Sequence, residues 1–423
     1  MADSLFRKIG DGYVLAVPSH ELELRAERLR WRDDDLKGEL AVMCGILGGR
    51  AIDGCLSRST YNFSSQRARD EHARSLAKRA RTNQLPFADY LEEFSERIIR
   101  DQRDGLPAVL LRDIPMPGPD VEHSIDGWHL PAHDVAIAFG DAEAGKSLIG
   151  LYAGGRLAAQ GVPTLYCDFE WNANPHRVRL ARLFPDALPP LHYCKCDRPL
   201  VYEADRLRAY ILKHGIAYAV FDSVGYACTG RPEDAEHALA YFRAARPLNI
   251  GSLHLAHVTK PGRADSAAER DQSYQRPFGS NFWHASARST WFCKRADPDR
   301  DGPTAPLTLG LFHRKSNSGA RYPALGFQFT FERDRVHVAR VDPAAHVELG
   351  ERLPLWQRMK GLLVNGALLT NKIAEQLDVP EASVRQVLKR DMDSAGRKGS
   401  TSMFKRVDGG LIVLCDQSGF KVP

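Results

Sequence analysis

The sequence predicts an α/β protein whose centre is a mainly parallel sheet, and three observations carry that reading. The first is the stretch Val135 to Leu151: an apolar run (Val135-Ala136-Ile137-Ala138-Phe139) passes through Gly140-Asp141-Ala142-Glu143-Ala144-Gly145-Lys146-Ser147 into a second apolar segment. The second is a repetition of short apolar runs, Thr164 to Glu170, Ala217 to Ser223 and Gly251 to His257, with helical text between them. Strands that alternate with helices are the pattern of βαβ units. The third is a change of composition on both sides of this block, which sets off smaller flanking regions.

The glycine stretch has the spacing G-x-x-x-x-G-K-[ST] in a strand-loop-helix context. Gly140 and Gly145 let the backbone curl so that successive N–H groups point inward, and a helix starting near Lys146 adds the positive end of its dipole. The expected phosphate cradle is Gly140, Asp141, Ala142, Glu143, Ala144, Gly145, Lys146, Ser147 and Leu148. In it Lys146 reaches the β and γ phosphates of ATP, and the Ser147 hydroxyl holds Mg²⁺. In an open α/β sheet, ligands sit at the carboxyl ends of the strands. That places Asp222 where it would hold the Mg²⁺ and Glu170 where it would act as general base on the attacking water. For each acid the alternative is a strand-end turn or a helix N-cap. His257, closing the third run, either senses the γ-phosphate or is a plain strand-end residue. The stretch after it, Pro261 to Pro277, is nearly devoid of apolar residues and reads as a functional or disordered loop.

A chain of 423 residues with 43% hydrophobic content can bury a large core and holds two or three domains. The net charge of +5 and a pI near 8.7 permit a polyanionic partner without requiring one. No apolar run approaches the roughly 18 residues of a membrane span, and the start, MADSLFRKIGDGYVL, lacks a signal-peptide core. The expectation is therefore a cytoplasmic protein with no membrane partner. The eight cysteines include no C-x-x-C pair; Cys194 and Cys196 are the only close ones, and their spacing alternates faces on a strand.

Residues 1–105 read as an α+β domain: alternation from Gly10 to Leu47 suggests short antiparallel strands, followed by helical text from Ser64 to Asp104. The basic cluster Arg67 to Arg81 is either a nucleic-acid contact or a solvated helix face. Residues 106–127, with Pro107, Pro115, Pro117 and Pro119, read as a linker to the core at 128–345. Over 351–415 the text gives helices at Leu353 to Val364, Leu368 to Leu377 and Val379 to Arg390, then a hairpin from Lys405 to Leu414 around a glycine turn. Three helices and a hairpin resemble a winged helix-turn-helix module. Its recognition helix, Glu381 to Asp391, would present Ser383, Arg385, Gln386, Lys389 and Arg390 to a DNA groove. From residue 351 onward there are 12 Lys plus Arg against 8 Asp plus Glu, a surplus of +4 that suits phosphate contacts.

The order of blocks, the glycine loop, YCDFEWN, VFDSV, LAHVTK and FGSNFWHASARSTWF, resembles the RecA-type ATPase family, in the branch that includes the plasmid replicative helicase RepA and its phage relatives, over residues 124–340. The resemblance implies a RecA-like core whose ATP site lies between neighbouring subunits of a ring or filament. It also implies Lys146 and Ser147 as phosphate and Mg²⁺ ligands, Glu170 as catalytic glutamate, Asp222 as Walker B acid and His257 as sensor. In ring helicases of this group a later strand carries a basic pair that reaches the neighbour's site. Here the corresponding run is Arg314-Lys315-Ser316-Asn317-Ser318-Gly319. Lys315 fits, while Asn317 stands where hexameric helicases such as DnaB have an arginine. The transition state of phosphoryl transfer calls for positive charge, and Arg288, Arg314 and Arg321 are the candidates for that finger.

Two functions follow. One is a DNA-dependent ATPase that moves along or remodels single- or double-stranded DNA in replication, repair or mobile-element maintenance. The other is an ATP-switched DNA-binding regulator or helicase loader with slow hydrolysis, toward which Asn317 leans.

Overall fold

The structure, a computed structural model, describes residues 4–9, 12–45, 52–82, 84–105, 108–116, 122–258, 277, 281–296, 302, 305–317, 319–350, 352–398 and 402–415. The chain divides into two units, Met1–Met116 and Pro117–Pro423.

In the first unit, β1 (Leu5–Ile9), β2 (Gly12–Val17), β3 (Leu22–Arg32), β4 (Asp35–Cys44) and β5 (Cys55–Asn62) form an antiparallel meander in sequence order. Period-two alternation puts Leu22, Leu24 and Ala26 of β3 and Leu36, Leu40 and Val42 of β4 on the buried face. Two helices, α1 (Gln66–Ala80) and α2 (Phe87–Asp104), cover that face with Leu76, Phe94 and Ile98. The Ser65 hydroxyl caps α1 by accepting the Ala68 N–H at 3.2 Å. The strands are longer than the short ones expected, with β3 running eleven residues.

The second unit starts with a hairpin, β6 (Glu122–Ile125) and β7 (Trp128–Pro131). Its turn residues Asp126 and Gly127 both have positive φ, as an Asp-Gly hairpin turn demands. This corrects only the end of the linker expected at 106–127, residues 122–127: Ile125 is fully buried, as is Trp128 just after it, and Trp128 meets Trp291 edge to face at 6.3 Å.

The main sheet is built from β8 (Val135–Gly140), β9 (Thr164–Asp168), β10 (His192–Lys195), β11 (Tyr218–Asp222), β12 (Gly251–His257), β13 (Ser289–Arg295), β14 (Leu307–Ser316), β15 (Leu325–Phe331) and β16 (Val336–Val341). Their order is β10-β9-β11-β12-β8-β13-β14-β15-β16; the first six run parallel and the last three join antiparallel. A parallel sheet is covered on both faces, which is why its strands read as unbroken apolar runs. Ala136, Ala138, Tyr166 and Val220 share a core with α3 (Lys146–Ala159) and α4 (Ala173–Leu183). Ile137, Phe139, Cys167 and Phe221 share the opposite one with α5 (Leu200–His214) and α7 (Ala235–Ala245). Short helices α6 (Val224–Ala227) and α8 (Asn281–Ser286) follow β11 and precede β13.

After α9 (Val347–Gly350) come α10 (Leu355–Leu363), α11 (Thr370–Leu377) and α12 (Glu381–Lys398), with β17 (Leu368–Leu369), β18 (Phe404–Arg406) and β19 (Leu411–Leu414) in the order β17-β19-β18. Leu368 and Leu369, expected to be helical, pair instead with Ile412 and Leu411, and the helix starts at Thr370. Met359, Ile373, Val384, Leu388, Phe404 and Ile412 form this region's own core. Among the described residues no helix is long and apolar enough to cross a membrane.

Candidate active site

Strand register decides what can meet at the carboxyl rim of the sheet. Asp222 of β11 lies level with Asp168 of β9, and His257 of β12 lies level with Gly140 of β8, which is level with Cys293 of β13. Gly140 has to be glycine: a Cβ there would stand 2.2 Å from the Cys293 carbonyl oxygen. Beyond it the loop curls through two left-handed residues, Glu143 (φ 63°) and Gly145 (φ 76°), before α3 begins at Lys146. The Lys146 ammonium is turned back onto the loop, donating to the carbonyls of Gly140 (3.0 Å) and Asp141 (2.5 Å). Burial pushes its pKa down, opposed by Cys293 and the carboxylates of Asp141, Asp222 and Glu170. Ser147 is half-buried beside it.

The acids are held by a hydrogen-bond network. Asp222 is buried, and its Oδ2 accepts the Tyr166 hydroxyl at 2.6 Å. Glu170 is exposed, in the turn after β9, and its Oε2 accepts the Ser223 hydroxyl at 3.3 Å. Asp168, 1% exposed, accepts the N–H groups of Glu170 (2.9 Å) and Trp171 (2.7 Å) on Oδ1 and the Tyr193 hydroxyl (2.7 Å) on Oδ2. His176 Nε2 stands 3.4 Å from the same Oδ2. Burial alone would raise the Asp168 pKa, but His176, the two amides and Tyr193 hold it well below the usual carboxylate range. The His257 imidazole is pushed down by burial and by Lys146, and in part restored by Asp222.

Thus Gly140 to Leu148, Asp222, Glu170 and His257 share one rim. The cationic candidates do not. The Arg288 N–H bonds to the carbonyl of Val135, the first residue of β8, so Arg288 sits at the opposite end of the sheet. Its guanidinium lies 3.7 Å from Asp134. Arg314 lies over the rings of Phe292 (5.5 Å) and Phe312 (5.4 Å). The Lys315 ammonium donates to the carbonyls of His284 (2.7 Å), Ala285 (2.9 Å) and Ala287 (2.7 Å), closing the carboxyl end of α8. Arg321 is exposed in the same region, and the Asn317 N–H bonds to the Arg288 carbonyl at 2.9 Å. The loop expected from Pro261 to Pro277 lies outside the described residues, apart from Pro277.

On α12, Val384 and Leu388 face the core, so Arg385, Gln386, Lys389 and Arg390 are exposed and Ser383 is half-buried. Arg385 pairs with Glu381 at 2.8 Å. Asp391 ties α12 to the strands by accepting the Ser402 hydroxyl (2.5 Å) and the Phe404 N–H (3.0 Å). The Gln357 side chain joins this region to the main sheet through two bonds to the Ala324 backbone, at 3.0 and 3.1 Å.

Sequence reading passed over Tyr166, Asp168, Tyr193 and Ser223. Asp168 had a signal, an acid at the last strand position two before Glu170; the tyrosines looked like ordinary core residues.

No family model matches the chain, and no curated protein matches it either. Solved structures similar to it, at 12% identity each, include a KaiC-like protein from the hyperthermophilic archaeon Pyrococcus horikoshii, a DnaB-like replicative helicase and a separately solved ATPase domain. The first has a TM-score of 0.36 over 50% of this chain and 91% of its own. The helicase has 0.38 over 49% of this chain and 59% of its own, and the ATPase domain 0.38 over 50% and 85%. This chain's own strand order and glycine loop define its fold.

Proposed function

We propose that the chain is a DNA-dependent ATPase of the RecA type, in which ATP held with Mg²⁺ by residues 140–148 is hydrolysed at an interface between subunits of a ring or filament. The observation that carries this is the shared rim: register alone brings the Lys146 loop, Asp222 and His257 together, with Glu170 one turn away. Ser147 and Asp222 offer hard oxygen donors, a set that suits Mg²⁺ arriving on the nucleotide phosphates. Mg²⁺ held by Ser147 and Asp222 would supply neutralisation of charge on the phosphates. Lys146 exchanges two loop carbonyls for phosphate oxygens. Glu170, steadied by Ser223, takes the proton of the attacking water. His257, level with Gly140 at the start of the loop, reads the γ-phosphate as a hydrogen-bonding partner.

The flanking regions extend the reading. Residues 351–415 act as a winged helix-turn-helix-like DNA contact through the exposed face of α12. Residues 1–105 form a separate α+β domain. Replacing Arg385, Lys389 and Arg390 by alanine should weaken duplex binding and lower its salt slope by about 0.9 for each phosphate no longer neutralised. An unchanged slope in an anisotropy titration would remove α12 from the DNA interface.

The test of the main reading is steady-state ATP hydrolysis by wild type and Glu170→Gln, with and without single- and double-stranded DNA. Turnover that rises with DNA and drops about 100-fold or more in Glu170→Gln is expected. DNA-independent turnover would instead favour the ATP-switched regulator or loader. One observation favours that second reading: the Lys315 ammonium is engaged with three carbonyls of its own chain, and Asn317 supplies no charge.

A further inference from the structure

We infer that Asp168 is a positioning residue for Glu170, holding the turn that carries the base at a fixed place relative to Asp222. The inference rests on the reading of Glu170 as the base. Three successive amides of that turn have defined acceptors. The Phe169 N–H donates to the Asp222 carbonyl at 2.7 Å, and the N–H groups of Glu170 and Trp171 donate to a single Asp168 oxygen. The Lys195 ammonium bonds to the Trp171 carbonyl on the far side, and the Arg179 guanidinium covers the Trp171 ring at 4.4 Å. The backbone on both sides of Glu170 is therefore pinned while its side chain stays open to solvent.

A buried carboxylate at a strand end is expensive unless it is hydrogen-bonded. An apolar residue could close β9 just as well, so packing does not explain the acid. What the acid supplies is two acceptors in fixed directions, one for the turn and one for the scaffold. The scaffold side is Tyr193 of β10 and His176 of α4, so the turn is referenced to two neighbouring elements at once. Tyr166 does the same for Asp222. Two carboxylates level with each other in adjacent strands each take a tyrosine hydroxyl, which fixes the metal-side acid and the base-side turn in one frame.

The experiment compares Asp168→Ala, Asp168→Asn, Tyr193→Phe, Glu170→Gln and the double variant Asp168→Ala/Glu170→Gln in the full chain, by thermal melting, fluorescent-ATP binding and kcat. Displacing a catalytic group by about 1 Å costs on the order of 100-fold, so Asp168→Ala should lose about that much in kcat with nucleotide Kd unchanged within about twofold. Asp168→Asn keeps an acceptor for both amides and should recover most of the loss; Tyr193→Phe should cost about tenfold or less. In the Glu170→Gln background, Asp168→Ala should cost nothing more, because it acts only through Glu170. Wild-type kcat in a folded Asp168→Ala overturns the inference, as does an equal loss of affinity and turnover, or a further loss in the double variant. Should Asp168→Ala fail to fold, Asp168→Asn and Tyr193→Phe decide: kcat and Kd falling together in those two also overturns it. A Glu170→Gln protein that turns over normally defeats the reading of Glu170 and this inference with it. An inactive Glu170→Gln beside an active Asp168→Ala defeats this inference alone.

Discussion

The two ends of the nine-stranded sheet are built on different terms. At the carboxyl rim the acids are fixed by side chains of their own chain: Tyr166 on Asp222, Ser223 on Glu170, and Tyr193 with two amides on Asp168. At the opposite end stand cations held mainly by backbone and rings, with Lys315 on three carbonyls and Arg314 over two phenylalanines, while Arg288 faces Asp134 at 3.7 Å. The six residues of β8 separate the two ends by about 17 Å, beyond the reach of an arginine side chain. One chain therefore gathers the glycine loop, Asp222, Glu170 and His257 at one rim, the groups to which the proposed function gives phosphate binding and water activation. Under the proposed function, a cation from the far end would serve that site only from another copy.

The largest effect should come from the rim itself. Lys146→Ala is expected to abolish nucleotide binding, since it removes the ammonium that charge-assisted bonds to phosphate need. A fluorescent-nucleotide titration giving near wild-type affinity would dissolve the contrast between the ends.

Next in size is the far end acting in trans. Arg288→Ala should lower turnover by about 1,000-fold if Arg288 is the finger. Mixing it with Glu170→Gln should then restore about a quarter of wild-type activity, the share of interfaces that unite an intact Glu170 with an intact Arg288. Mixed subunits that stay inactive would assign the finger elsewhere, with Arg321 the next variant to mix.

Lys315 sharpens the comparison from the other side. Lys315→Ala leaves three helix-end carbonyls without their donor and should cost about 1–3 kcal/mol in denaturant unfolding, with turnover falling only as far as folded protein is lost. A large kcat loss at unchanged stability would put Lys315 at the neighbour's nucleotide.

An effect on stability alone, with none expected on turnover, lies inside the sheet. His254 is fully buried between Tyr241 (2.6 Å) and Ser252 (2.8 Å), stacked on Phe221, and burial pushes its pKa down to about 3. In the unfolded chain an imidazole titrates near 6.5. Above about 6.5 both states are neutral and His254 contributes no pH dependence. Below it the unfolded state binds a proton that the folded state refuses, so stability should fall by up to about 1.4 kcal/mol per pH unit down to about pH 3. Urea midpoints at pH 7.5 and 5 in wild type and His254→Gln test this; an equal drop in both proteins removes His254 as its source.

How much could be read in advance differed by residue. The glycine loop was legible because its chemistry is local: Gly140, Gly145 and Lys146 are neighbours in sequence, and their geometry depends on φ and on a helix start. The parallel strands were legible because burial on both faces leaves unbroken apolar text, as in Tyr218 to Phe221. Residues 122–127 read as linker because the prolines before them mark a break, while the burial of Trp128 against Trp291 depends on a partner 163 positions away. Lys315 looked like part of a basic pair, since nothing near it in sequence shows that the carboxyl end of α8 ends beside it.

The sequence by itself determined the α/β class, the phosphate-type loop and the identity of the acids that follow the strands, because each depends on residue type and short-range periodicity. Only the tertiary structure decided which of those groups share a rim. The strand order places β12 between β8 and β11, so that His257 and Asp222 reach the loop, and it leaves Arg288 and Lys315 at the other end. It also set the buried partners of the acids, since hydrogen bonds between adjacent strands join residues that chain order keeps apart.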